Sequence, residues 1–105
     1  MFVSGLRGIE PATGEPASDD ESRLRLIFAH LRRALEANGS SLANVLSTRV
    51  YVTDMARHRP LVNRAFEEAF RSELPTRTIV EVSALNQADS IEIEAVAARR
   101  EQTPS

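Results

Sequence analysis

Two side chains in the C-terminal third of this 105-residue chain could do chemistry together: Arg77 in LPTRTIVEVS and Glu92 in SIEIEAVA. A guanidinium offers a planar fork of donors matched to a carboxylate, and a glutamate can hold and activate a water. The pair therefore suits a site that anchors a small carboxylic acid and delivers water to it. The same residues can instead form a cross-strand or intersubunit ion pair with no catalytic part, and spacing alone leaves both readings open. Glu81 and Glu94 read as surface or interface charges.

Other candidates carry weaker signals. His30 and His58 can act as bases or ligands, but neither has metal-ligand spacing or neighbouring carboxylates in sequence, and both read as helix or loop surface. Tyr51 suits either a pocket wall or a subunit contact. Asn63 can donate to a ligand or simply solvate its helix. Gly5, after Ser4, can let backbone amides approach a ligand, because it has no side chain to block them. The segment from Gly5 to Gly14 has neither Walker nor dinucleotide spacing. With no cysteine, thiol nucleophiles, thiolate metal sites and disulfides are all excluded.

Placing Arg77 beside Glu92 requires two strands. Thr78-Val80-Val82 and Ile91-Ile93-Ala95 alternate as core faces, and Asn86 to Ser90 connects them. On that pattern Arg77, Ile79, Glu81 and Ser83 share the opposite, charged face with Glu92, Glu94 and Val96 of an adjacent strand. Upstream, Met1 to Ser4 reads as a strand. Asp19 or Asp20 caps a helix whose stripe is Leu24, Ile27, Leu31, Ala34 and Leu35, and Asn38-Gly39 ends it. After a connector, Ser40 to Asn44, the segment Val45 to Thr53 alternates. It has Leu46, Thr48, Val50 and Val52 on the apolar side, against Val45, Ser47, Arg49, Tyr51 and Thr53. Thr53-Asp54 breaks that strand. Pro60 suits the first turn of a second helix with stripe Val62, Phe66, Ala69 and Phe70, ending at Ser72 to Pro75.

The expectation is one α+β domain over residues 1–98, in the order strand, helix, strand, helix, strand, strand, with a fraying polar tail over 99–105. Two helices cover one sheet face only. The other, carrying Tyr51, Ile79 and Val96 among its charges, should be covered by further copies in a closed symmetric assembly. A chain of this size buries roughly two-thirds of its unfolded surface, so association would add needed stability. A net charge of −2 with interspersed signs argues against nucleic acid. No apolar run spans a membrane and MFVSGLRGIEP lacks signal-peptide regions, so a cytoplasmic protein is expected.

The succession VSG, EPATGE, LEANGSSLANV, STRVYVTDM, VNRAFEEAF, LPTRT and IEIEAVA resembles the Rid (reactive intermediate deaminase) family, also called YjgF and labelled endoribonuclease L-PSP. The resemblance covers nearly the whole chain. It implies a chorismate-mutase-like fold and a homotrimer whose sheets close into a central barrel with three intersubunit clefts. It also implies that Arg77, in Pro75-Thr76-Arg77-Thr78, binds a substrate carboxylate, and that Glu92 positions the hydrolytic water. Gly5 and Asn63 would line or support the cleft, and Ile79 stands where many members carry cysteine.

The implied reaction is hydrolysis of an enamine or imine such as 2-aminoacrylate to a 2-keto acid and ammonia, without a cofactor or metal. Family chains usually begin earlier, with a strand whose aromatic residue lines the cleft. Either the start lies downstream of the natural one, or the sheet lacks an edge strand and the cleft a wall. Two alternatives remain: a non-catalytic, carboxylate-binding regulatory trimer, and a ribonuclease or translation inhibitor, which the negative charge disfavours.

Overall fold

Each helix starts on an aspartate. In the computed structural model, which describes residues 1–71 and 73–99, α1 runs Asp20–Ala37 and α2 runs Met55–Phe70. Asp19 accepts from the Ser22 N–H at 2.8 Å and Asp54 from the Arg57 N–H at 3.2 Å, satisfying amides that the first turn leaves without an intrahelical partner. Asn38 caps the end of α1, and Gly39 follows at φ 75°. Pro60 lies inside α2 and not in its first turn, as the sequence suggested. Asp54 supplies an earlier start, and one lost bond, to the Ala56 carbonyl, is tolerable near a helix end.

Hydrogen bonding to Ser22, backbone first and side chain second, lowers the Asp19 pKa from its ordinary value. A carboxylate with a depressed folded-state pKa adds stability in full above its unfolded value, and loses it as pH falls through the folded one. Asp19→Asn should therefore melt below the wild type at neutral pH. The difference should close as pH falls through and below the carboxylate range, which melting curves at stepped pH will measure.

The sheet comprises β1 (Phe2–Leu6), β2 (Val45–Val52), β3 (Thr76–Glu81) and β4 (Ile91–Ala97), in the order β1-β4-β2-β3. β4 runs antiparallel between β1 and β2, and β3 pairs parallel to β2 after the α2 crossover. This gives the expected α+β architecture, a mixed sheet with both helices packed on one face. Val50, Val52, Ile91 and Ile93 lie fully buried beneath Leu24, Ile27, Leu31 and Leu35 of α1 and Val62, Phe66 and Phe70 of α2. Phe28, which the predicted stripe omitted, packs edge-on against Phe66 and Phe70 with centroids 5.5 and 5.8 Å apart.

Three sequence expectations are corrected. β3 and β4 are not adjacent, because β2 lies between them. The faces of β3 are reversed: Thr48 pairs with Arg77 and Val50 with Ile79, so Arg77, Ile79 and Glu81 point toward the helices. Val80, expected in the core, is 39% exposed on the open face. β3 is an edge strand with apolar residues on both sides, so alternation alone could not say which parity faces inward. At the start of β2 an irregularity between Val45 and Ser47 buries Val45 and exposes Leu46, the reverse of the simple alternation. Of the tail expected to fray, residues 100–105 lie outside the described residues.

Candidate functional site

Arg77 is held from the helix side. Its guanidinium donates to Asn63 Oδ1 at 2.6 Å and lies 5.0 Å above the Phe66 ring, both on α2. Asn63 stands mid-helix, not near the start as the later predicted helix had it, and three residues before Phe66. The two therefore share one helix face and together cradle the cation. Burial, and then the like charge of Arg59, lower the Arg77 pKa from its ordinary value. Among the described residues no carboxylate lies within 4.0 Å of it. Ile79, next on the same face, packs against the core.

Glu92 lies on the other face. It pairs with Tyr51 of β2 on the open side of the sheet, where the Tyr51 hydroxyl donates to Glu94 Oε1 at 2.9 Å and Arg49 approaches the same oxygen at 3.7 Å. That hydrogen bond, ahead of burial, raises the Tyr51 pKa. Within the chain Arg77 and Glu92 are thus separated by a strand and by the plane of the sheet. They form neither the cross-strand ion pair nor the shared pocket that the sequence allowed. Glu81 is exposed, as its reading as a surface charge had it, and it also accepts from the Met55 N–H at 2.7 Å in the first turn of α2.

Gly5 has a local task. With φ at 69° it occupies the register shift between Val3 and Leu6, a β-bulge that needs the left-handed conformation. Beyond the bulge Leu6 pairs with Ile93, and Arg7 is the first residue after the strand. Arg7 Nε lies 4.0 Å from Glu92 Oε1. Sequence reading gave Arg7 no role. The only signal was a basic residue two steps past a Ser-Gly, and its meaning depends on the bulge.

A second group was invisible in sequence. Asp89, with a fully buried side chain, lies 3.2 Å from Arg7 and 3.7 Å from Arg23, while Arg23 donates to Ser90 Oγ and Ser90 Oγ to Asp20. His58, expected at the surface without carboxylate neighbours, is 3% exposed and lies 3.2 Å from Asp20. Its Nδ1 accepts from the Asp54 N–H at 3.3 Å, so Nε2 carries the proton toward Asp20. The network ties together the starts of both helices, the end of β1 and the entry to β4. Gly8 lets it close, since a Cβ there would run into the Arg23 backbone. His30 Nε2 lies 3.0 Å from the Ile9 carbonyl, and fastens the loop after β1 to α1.

Residues 1–99 match the family described as endoribonuclease L-PSP. The chain is 37% identical over 98 residues to a RutC family protein of Pyrococcus horikoshii, covering 92% of this chain and 77% of that one. It is 32% identical over 103 residues to the 2-iminobutanoate/2-iminopropanoate deaminase of Salmonella typhimurium, covering 95% and 80%. Among solved structures, RidA of an Antarctic Psychrobacter superposes with a TM-score of 0.86 at 28% identity, over 91% of this chain and 77% of that one. The YjgF protein of Escherichia coli gives 0.85 at 32% identity, over 94% and 80%. With the family model matched over nearly the whole chain and the fold shared, the chain belongs to the endoribonuclease L-PSP family, that of the YjgF and Rid proteins.

Proposed function

We propose that this protein hydrolyses 2-aminoacrylate-type enamines and 2-imino acids to 2-keto acids and ammonia, as a homotrimer with its sites between subunits. The observation that carries the reading is the Arg77 guanidinium, partly desolvated and held by a neutral amide and an aromatic ring, with no carboxylate beside it among the described residues. Such a cation is completed by an anion from outside, and its fork fits a small carboxylate. The deaminase name of the 32% identical relative supports the chemistry.

With the substrate carboxylate on Arg77, the enamine tautomerises to the imine, whose C2 is the electrophile. Glu92 takes a proton from a water as the water oxygen bonds to C2 and the C=N electron pair moves to nitrogen, and it passes that proton to the nitrogen. The carbinolamine hydroxyl then gives its proton to Glu92, which relays it to the amine as the C–N bond breaks, leaving the 2-keto acid, ammonia and an ionised Glu92. Because Arg77 and Glu92 face opposite ways in one protomer, a Glu92 acting on the Arg77-bound substrate comes from another copy. Gly5 and Asn63 then serve indirectly, the one through the bulge and the other by holding Arg77, and Ile79 supplies an apolar floor.

Generating 2-aminoacrylate in situ and following its loss tests the chemistry; light scattering tests the assembly. Accelerated loss by a species of three times the chain mass is the expected result. A monomer at micromolar concentration would remove the shared site. Saturable binding of a 2-keto acid without turnover would establish the carboxylate-binding alternative, which the separation of Glu92 from Arg77 in the protomer specifically favours.

A further inference from the structure

We infer that Arg7 is a positioning residue for the Glu92 carboxylate, a role that rests on the deaminase reading. The β1–β4 register shifts by one residue across the left-handed Gly5, and Arg7, the first residue after β1, comes near Glu92. Arg7 is not a free surface cation. NH1 donates to the Asn86 carbonyl at 2.8 Å and to Asp89 Oδ2 at 3.2 Å, and NH2 donates to Gln87 Oε1 at 2.7 Å. Its side chain is only 13% exposed. These bonds fix the guanidinium plane, with Nε 4.0 Å from Glu92 Oε1.

At that separation the contact is Coulombic and not a hydrogen bond, and a small shift or one bridging water closes it. A cation held there turns one Glu92 oxygen toward itself and leaves the other for the hydrolytic water. Little rotamer freedom remains to be lost when substrate binds, because Asp89 and the connection before β4 already hold Arg7 in place.

Arg7 also braces that connection, where Gln87 and Ala88 adopt φ of 57° and 53°, so the test must separate bracing from positioning. Arg7→Met should lower kcat on 2-aminoacrylate ~10-fold or more with KM within about twofold, since Arg77 still binds the carboxylate. Arg7→Lys should recover most of kcat while melting like Arg7→Met, because an ammonium supplies the charge but not the planar fork that three acceptors hold. Full kcat in Arg7→Met, or KM rising in step with the loss of kcat, would overturn the inference. Wild-type turnover that Glu92→Gln abolishes and Arg7→Met retains would do so while leaving the deaminase reading intact. No wild-type turnover would remove both.

Discussion

Arg77→Ala is expected to reduce kcat/KM for 2-aminoacrylate by about 10³-fold or more while shifting the melting temperature by only a few degrees. Each charge-assisted bond of a bidentate guanidinium–carboxylate pair contributes about 1.5–3 kcal/mol, so losing two corresponds to roughly 10²–10⁴ in rate at low substrate. The structural loss is small. Arg77 makes one bond to Asn63 and one cation–π contact with Phe66, which is about 0.5–1 kcal/mol. Removing it also relieves its desolvation and the repulsion from Arg59. Activity and stability therefore part company at this residue, as they do where a site is held ready for a ligand. Enamine loss under limiting substrate, beside thermal melts of both proteins, makes the measurement. A variant that keeps full kcat/KM, or one that unfolds, contradicts this account of Arg77.

Asp89→Ala should act in the opposite sense, chiefly on stability. The carboxylate is fully buried between Arg7 and Arg23, and it also accepts from the Ser90 N–H at 2.7 Å. Removing one partner of a buried ionic network leaves the others uncompensated, at a cost of about 3–5 kcal/mol. Against a total of about 5–15 kcal/mol for a domain, that is enough to lower the denaturant midpoint by a large fraction. The exposed Glu21–Arg64 pair, 3.9 Å apart with both side chains about two-thirds exposed, is the control. Glu21→Ala should change stability by less than about 1 kcal/mol. Equal midpoints for the two variants would show that the Asp89 network adds nothing beyond a surface contact.

Much of the fold is legible in the amino-acid order because it is local. Asp19 before the first helix, Asn38-Gly39 after it, and the stripes Leu24-Ile27-Leu31 and Val62-Phe66-Phe70 are set by neighbours within a few turns. The faces of β4 are equally clear, since Ile91, Ile93, Ala95 and Ala97 fall on one parity and both glutamates on the other. Resemblance to the family, carried by short segments in order, is what points to Arg77 and Glu92 as site residues.

The structure decided what depends on distant partners. β3 has apolar side chains on both faces, so only its parallel pairing with β2 turned Arg77 toward α2 and away from Glu92. Arg7 acquired a meaning only through the bulge at Gly5, and His58 only through Asp20, a residue of the other helix. The chain by itself determined which residues could form helices, strands and a carboxylate anchor, because those preferences lie in adjacent side chains. Which charges meet was decided by the tertiary structure alone, since strand order and helix docking bring together groups that no sequence spacing relates.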